Sequence, residues 1–149
     1  MKTLILGLGN PILTDDGVGI EIAQKIAEEK PDLEVVETCE AGLALLDYIA
    51  GHDKLIIIDS IRTEDGRPGE LYKLELGDFK AATALSFSHG VDIASAFKVG
   101  EGLGYKIPRN VTIYAVEVKD NSTFGQGCTE EVSKRIPFIV RQIMREERL

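Results

Sequence analysis

The sequence predicts an α/β fold: a three-layer α/β/α sandwich with a mostly parallel, twisted sheet of about five strands and one antiparallel edge strand. Three observations carry this. Thr3-Leu4-Ile5-Leu6-Gly7-Leu8 and Lys54 to Asp59 are nearly unbroken apolar runs, the pattern of central strands covered on both faces. Segments with apolar residues at helical spacing fall between such runs, giving the order β-α-β-α-β-β-α-β-α. One further run, Glu70 to Glu75, alternates polar with apolar residues, so one of its faces is wet and it belongs at an edge.

Element by element, Thr3–Leu8 is the first strand, rich in branched residues. Val18 to Glu29 follows as a helix with Val18, Ile22 and Ile26 on its apolar face, and Pro31 stops it because proline cannot continue the hydrogen-bond ladder. Leu33 to Thr38 is the second strand, and Leu43 to Ile49 a short helix with Leu45, Leu46 and Ile49 facing inward. Lys54 to Asp59 forms the third strand, closing with an acid; a turn-rich stretch from Thr63 to Gly69 leads to the edge strand. Val91 to Leu103 reads as a helix with Ile93, Ala94, Phe97 and Val99 inward and a stop at Gly102 and Gly104. Val111 to Val118 is the last strand. Thr129 caps a terminal helix carrying Val132, Ile136, Ile139, Val140 and Ile143, which Pro137 kinks or locally breaks.

A chain of 149 residues has the size of one domain, taken as residues 1–149, and needs no disulfide to bury a core. The formal charge of −8 argues against nucleic acid as a partner, since phosphate binding concentrates Lys and Arg. No apolar run approaches the roughly 18–20 residues that cross a bilayer, and Met1-Lys2 leads directly into a strand, so the expectation is a cytoplasmic protein without membrane insertion. Cys39 and Cys128 lack metal-knuckle spacing and are expected to be reduced thiols of no assigned chemistry.

Ligands in parallel sheets bind outside the carboxyl ends of the strands. Asp16, in the loop after the first strand, and Asp59, at the end of the third, are expected there, as is Glu117 at the end of the last strand. His89 precedes a helix on the same rim, whereas His52, beside Asp53, belongs to a surface turn. Asp15 and Asp16 adjoin a helix start, where a carboxylate favours the positive end of the dipole; one is expected to cap while the other faces the site. Two carboxylates and an imidazole suit Zn, Ni, Mn or Fe and leave coordination positions open; without a metal the same trio is an acid/base cluster. Gly7-Leu8-Gly9 is not a dinucleotide fingerprint, because Ile12 stands where the third glycine belongs, and no GxSxG nucleophile motif occurs. The glycines read as a tight turn shaping the loop that carries the acids.

Gly7-Leu8-Gly9-Asn10, Asp15-Asp16-Gly17-Val18-Gly19, Ala41-Gly42, Ile58-Asp59 and Ser86 to His89 together resemble the hydrogenase maturation endopeptidases over nearly the whole chain. The resemblance implies a phosphorylase/hydrolase-like sandwich and a peptidase that removes the C-terminal extension of a nickel-iron hydrogenase large-subunit precursor after nickel insertion. It assigns Asp16, Asp59 and His89 as metal-contacting and catalytic residues, with nickel supplied by the precursor and no permanently bound cofactor. Two departures bear on precursor choice: Thr38-Cys39-Glu40 replaces a Gly-Gly-Thr-like segment, and Gly90 follows the histidine where relatives often have glutamine. Gly7-Leu8-Gly9-Asn10-Pro11 is also similar to the opening of peptidyl-tRNA hydrolases, but that family's early histidine-asparagine pair is missing and the acidic charge opposes RNA. A non-catalytic metal-sensing module on this fold is the third reading.

Overall fold

The computed structural model describes residues 1–76, 86–87 and 90–149, with the side chains of 86, 87 and 90–92 excepted. Its strands are β1 (Thr3–Leu8), β2 (Glu34–Thr38), β3 (Lys54–Arg62), β4 (Leu71–Glu75), β5 (Ser86–Phe87) and β6 (Asn110–Glu117), and its helices α1 (Val18–Glu29), α2 (Leu46–Ile49), α3 (Gly90–Gly102), α4 (Glu130–Ser133) and α5 (Ile136–Glu147). The sheet runs β2-β1-β3-β6-β4. β1, β2, β3 and β6 are parallel, and β4 lies antiparallel on β6 as the edge strand that its alternation predicts.

Alternate residues of each strand face opposite helical layers. Ile5, Ile56, Ile58, Tyr114 and Val116 pack with Val18, Ile22 and Ile26 of α1 and Ile136, Ile139, Val140 and Ile143 of α5. Leu4, Leu6, Leu8, Leu55, Ile57 and Ile113 pack on the other face with Leu45, Ile49, Ile93 and Phe97. Each buried aliphatic side chain contributes about 1.5–3 kcal/mol relative to exposure, so the two faces together hold the sandwich closed.

The strand order places a topological switch at the site. From β1 the chain crosses through α1 to β2 on one side, then returns through α2 on the other face to β3 on β1's far side. β1 and β3 are therefore neighbours whose following connections run to opposite sides of the sheet, to β2 on one side and to β4 beyond β6 on the other, and such a crevice is where open α/β sheets bind ligands. β1 pairs with β3 only as far as Gly7 opposite Ile58, while β3 continues to Arg62 and takes β5 antiparallel at Ile61 and Arg62. Asp59 accordingly lies inside β3 and does not end it: β6 pairs with β3 through Ile61 opposite Glu117, so the ladder carries the strand past the acid.

Other departures have similarly local causes. The second helix is a 3-10 turn over Gly42–Leu45 and one α turn, α2, with Leu45, Leu46 and Ile49 buried as expected. In α3, Val99 is exposed and Ala96 and Phe97 are buried. The terminal helix divides into α4 and α5, with Pro137 in the first turn of α5, where its missing N–H costs no intrahelical bond. Thr129 stands at the N-cap of α4 without a side-chain cap bond, its hydroxyl being used elsewhere. His52 is buried, its Nε2 2.9 Å from Glu34 Oε2 and its Nδ1 3.1 Å from the Ile49 carbonyl, so it ties β2 to the end of α2 instead of lying on the surface.

Candidate functional site

The first loop folds back so tightly that side chains are excluded from two places. A Cβ on Gly9, whose φ is +151°, would lie 2.1 Å from the Asp16 carbonyl oxygen. A Cβ on Gly19 would lie 2.3 Å from the Ile58 carbonyl and 2.6 Å from that of Leu8. Glycine lets α1 start directly against the carboxyl ends of β1 and β3, which delivers Asp16 to β3. Thr14 enters the 3-10 turn Thr14–Gly17 at φ +52°, a left-handed conformation costly for a branched residue, and is held there by its N–H to Gly125 O and its hydroxyl to Thr123 O.

Asp15 and Asp16 then point to different tasks. The Asp15 carboxylate is fully buried and accepts bonds from the N–H groups of Lys119 and Asp120, both 3.0 Å, and from the N–H and hydroxyl of Thr129. It caps no helix of its own; it clamps the loop after β6 onto the first loop, beside the Leu13–Gly125 bridge. Asp16, 6% exposed, accepts the Asn10 N–H on Oδ2 at 3.0 Å and the Ser60 hydroxyl on Oδ1 at 2.9 Å. Ser60 also donates its backbone N–H to Asp59 Oδ1 at 2.8 Å. The side chains of Asp16 and Asp59, 43 residues apart in sequence, thus meet on a single serine at the carboxyl edge of the sheet.

His89 lies outside the described residues. Among the described residues no group of three or more His, Cys, Asp or Glu side chains is arranged to hold a metal ion. Glu117 is buried on the same rim, but its oxygens accept the Thr63 N–H at 2.8 Å, the Thr63 hydroxyl at 2.6 Å and the Tyr72 hydroxyl at 3.0 Å, which fastens the turn after β3 to the edge strand. Burial, with the carboxylates of Glu70 and Glu117, pushes the Tyr72 hydroxyl well above its ordinary range, so it remains a donor. Cys39 is an exposed free thiol; the Cys128 thiol is free and donates to Glu21, and burial beside Glu21 and Asp15 keeps it protonated, far from a nucleophile. Ser60 is the site residue that motif reading passes over. Its signal is positional: a polar pair, Asp59-Ser60, interrupts an apolar strand that Ile61 resumes.

Sequence and fold comparisons show what the chain resembles. The model of the hydrogenase maturation protease family matches residues 11–146. The chain belongs to that family. It is 30% identical to the hydrogenase 2 maturation protease of Escherichia coli K12 over 97% of this chain and 89% of that protein. It is 28% identical to a putative hydrogenase maturation protease of Methanocaldococcus jannaschii, over 96% and 94% of the two. The structure of the hydrogenase maturating endopeptidase HybD from E. coli superposes with a TM-score of 0.81 at 28% identity, covering 99% of this chain and 94% of that one. The maturation protease HybD of Thermococcus kodakarensis, 22% identical, shares the fold at a TM-score of 0.77 over 97% and 98%.

As a hydrogenase maturation protease the chain is a peptidase, and its sheet is that of the family. Membership decides against the peptidyl-tRNA hydrolase reading. Among the described residues no helix is long and apolar enough to cross a membrane.

Proposed function

We propose that this maturation protease removes the C-terminal extension of a nickel-iron hydrogenase large-subunit precursor, and that Asp16, Asp59 and His89 contact nickel carried by that precursor. One observation carries the reading: two buried carboxylates, one from the loop after β1 and one from within β3, share Ser60 at the switch between β1 and β3. Buried acids placed together at a ligand crevice need a cation or a proton, and the precursor's nickel supplies the cation. His89 enters through the family resemblance. The described residues on either side of it in sequence, Ser86–Phe87 against the end of β3 and Gly90 at the start of α3, support that assignment.

In this reading two carboxylates and one imidazole occupy part of the nickel's coordination sphere and leave the rest to donors of the precursor. The scissile peptide bond is thereby held beside a Lewis acid that polarises its carbonyl or activates a water. Hydrolysis adds water across the C–N bond, one proton going to the leaving amine. Nickel is part of the substrate, so cleavage reports that metal loading is complete. A protein substrate also fits the exposed Ile12, Leu43 and Phe124, which lie in the segments that follow β1, β2 and β6.

The test is incubation with nickel-loaded and nickel-free precursor followed by mass measurement. Only the loaded form is expected to lose its extension, and Asp59→Ala is expected to leave it intact. Equal cleavage of both forms refutes nickel dependence, and native-rate cleavage by Asp59→Ala refutes the site.

A further inference from the structure

Resting on that reading of the site, we infer that Ser60 is a positioning residue that sets the carboxylates of Asp16 and Asp59 at one spacing for metal contact. Neighbouring residues of a strand face opposite sides. Asp59 falls in register with Leu55 and Ile57, toward α2 and α3, and Ser60 with Ile56 and Ile58, toward α1. Asp16 arrives from the α1 side. A residue at position 60 therefore stands between the two acids, and only a short hydroxyl reaches one with its side chain while its N–H serves the other.

The geometry restricts Asp16 from both ends. Ser60 Oγ donates to Oδ1 at 2.9 Å and the Asn10 N–H donates to Oδ2 at 3.0 Å, so rotation of the carboxylate breaks one bond or the other. Ser60 is 1% exposed, leaving no water of bulk solvent to substitute for its hydroxyl. The Asn10 contact belongs to the loop beside Gly9, whose backbone lies on the Asp16 carbonyl, so main chain and side chain of Asp16 are both fixed by the first loop. The Ser60 hydroxyl ties that carboxylate to β3, and through the Ser60 backbone N–H to Asp59. Deleting it is expected to leave the Asn10 contact of the first loop in place and to loosen Asp16 from β3.

Hydrogen bonds of this kind behind a metal ligand typically change metal affinity by about 10–100-fold. The experiment measures Ni2+ binding by calorimetry for the wild-type chain, Asp16→Ala, Ser60→Ala and Ser60→Thr, together with the NMR amide shifts of Asn10 and Thr129 without metal. Wild type is expected to bind, Asp16→Ala to lose binding, Ser60→Ala to weaken it by about 10-fold or more, and Ser60→Thr to restore it to within about 3-fold. The Asn10 amide, bonded to Asp16, is expected to shift in Ser60→Ala, whereas Thr129, bonded to Asp15, stays in place. Wild-type affinity and an unmoved Asn10 amide in Ser60→Ala, with Asp16→Ala defective, overturn the positioning role and leave the site reading intact. Identical behaviour of wild type and Asp16→Ala overturns the site reading and the positioning role with it. Loss of binding in Ser60→Ala accompanied by a shift at Thr129 and no recovery in Ser60→Thr marks general disruption and also overturns it.

Discussion

Replacing Asp15 by Ala removes the clamp between the first loop and the loop after β6. The wild-type carboxylate is fully buried and accepts from three backbone N–H groups and one hydroxyl. Hydrogen bonds to a charged acceptor contribute about 1.5–3 kcal/mol each, and a buried donor left unpaired costs about 1–3 kcal/mol. The four effects share one carboxylate and do not add. Lys119 is exposed, so its amide regains water more readily than those of Asp120 and Thr129, which are both half-buried. The net cost is then about 3 kcal/mol, which for a chain of this size lowers Tm by roughly 6–12 °C. Asp15→Asn is expected to fall between, at about 2 kcal/mol, because its amide nitrogen must face N–H donors on one side. Calorimetry or circular dichroism reads the shift, and hydrogen exchange should show loss of protection at Asp120 and Thr129. A Tm for Asp15→Ala within about 2 °C of wild type would refute the clamp.

Two further outcomes follow from contacts elsewhere. Glu147 is buried, which alone raises its pKa, but Lys54 Nζ at 2.7 Å and the Tyr114 hydroxyl outweigh burial and hold it below its ordinary value of 4.5. A depressed carboxylate stabilises the fold above its unfolded pKa and loses that contribution as pH falls through the folded one. The stability gap between wild type and Glu147→Gln is therefore expected to be widest near neutrality and to close below pH 4.5, and a gap independent of pH between 7 and 3 contradicts it. Gly19→Ala drives a methyl group into the carbonyls of Ile58 and Leu8, both backbone atoms of central strands, and should cost about 3 kcal/mol or more in urea unfolding; an unchanged midpoint shows that α1 does not sit as tightly as described.

Much of the fold is legible because burial imposes a period on the sequence. α1 spans Val18–Glu29 as its Val18, Ile22 and Ile26 spacing predicts, and alternation alone places β4 at an edge. Errors gather where a partner distant in sequence decides. β3 outlasts Asp59 because β6 and β5 supply hydrogen bonds beyond it. His52 is buried because Glu34, 18 residues away, meets its ring. At the site, acids after apolar strands are visible in the sequence as residues that need a reason to be there. Which of Asp15 and Asp16 faces the crevice is fixed by the turn that Thr14 enters at positive φ, and no pattern of residue types encodes that. Ser60 is invisible for the same reason: its value depends on the register between β3 and a loop 44 residues earlier.

The claim that Asp16 and Asp59 grip one ion is tested most directly by diffraction from crystals of the protein soaked in Ni2+, with data collected at the nickel absorption edge. The account predicts an anomalous peak within about 2.5 Å of a carboxylate oxygen of each of Asp16 and Asp59. A nickel peak bound elsewhere, with no density between the carboxylates of Asp16 and Asp59, would contradict it.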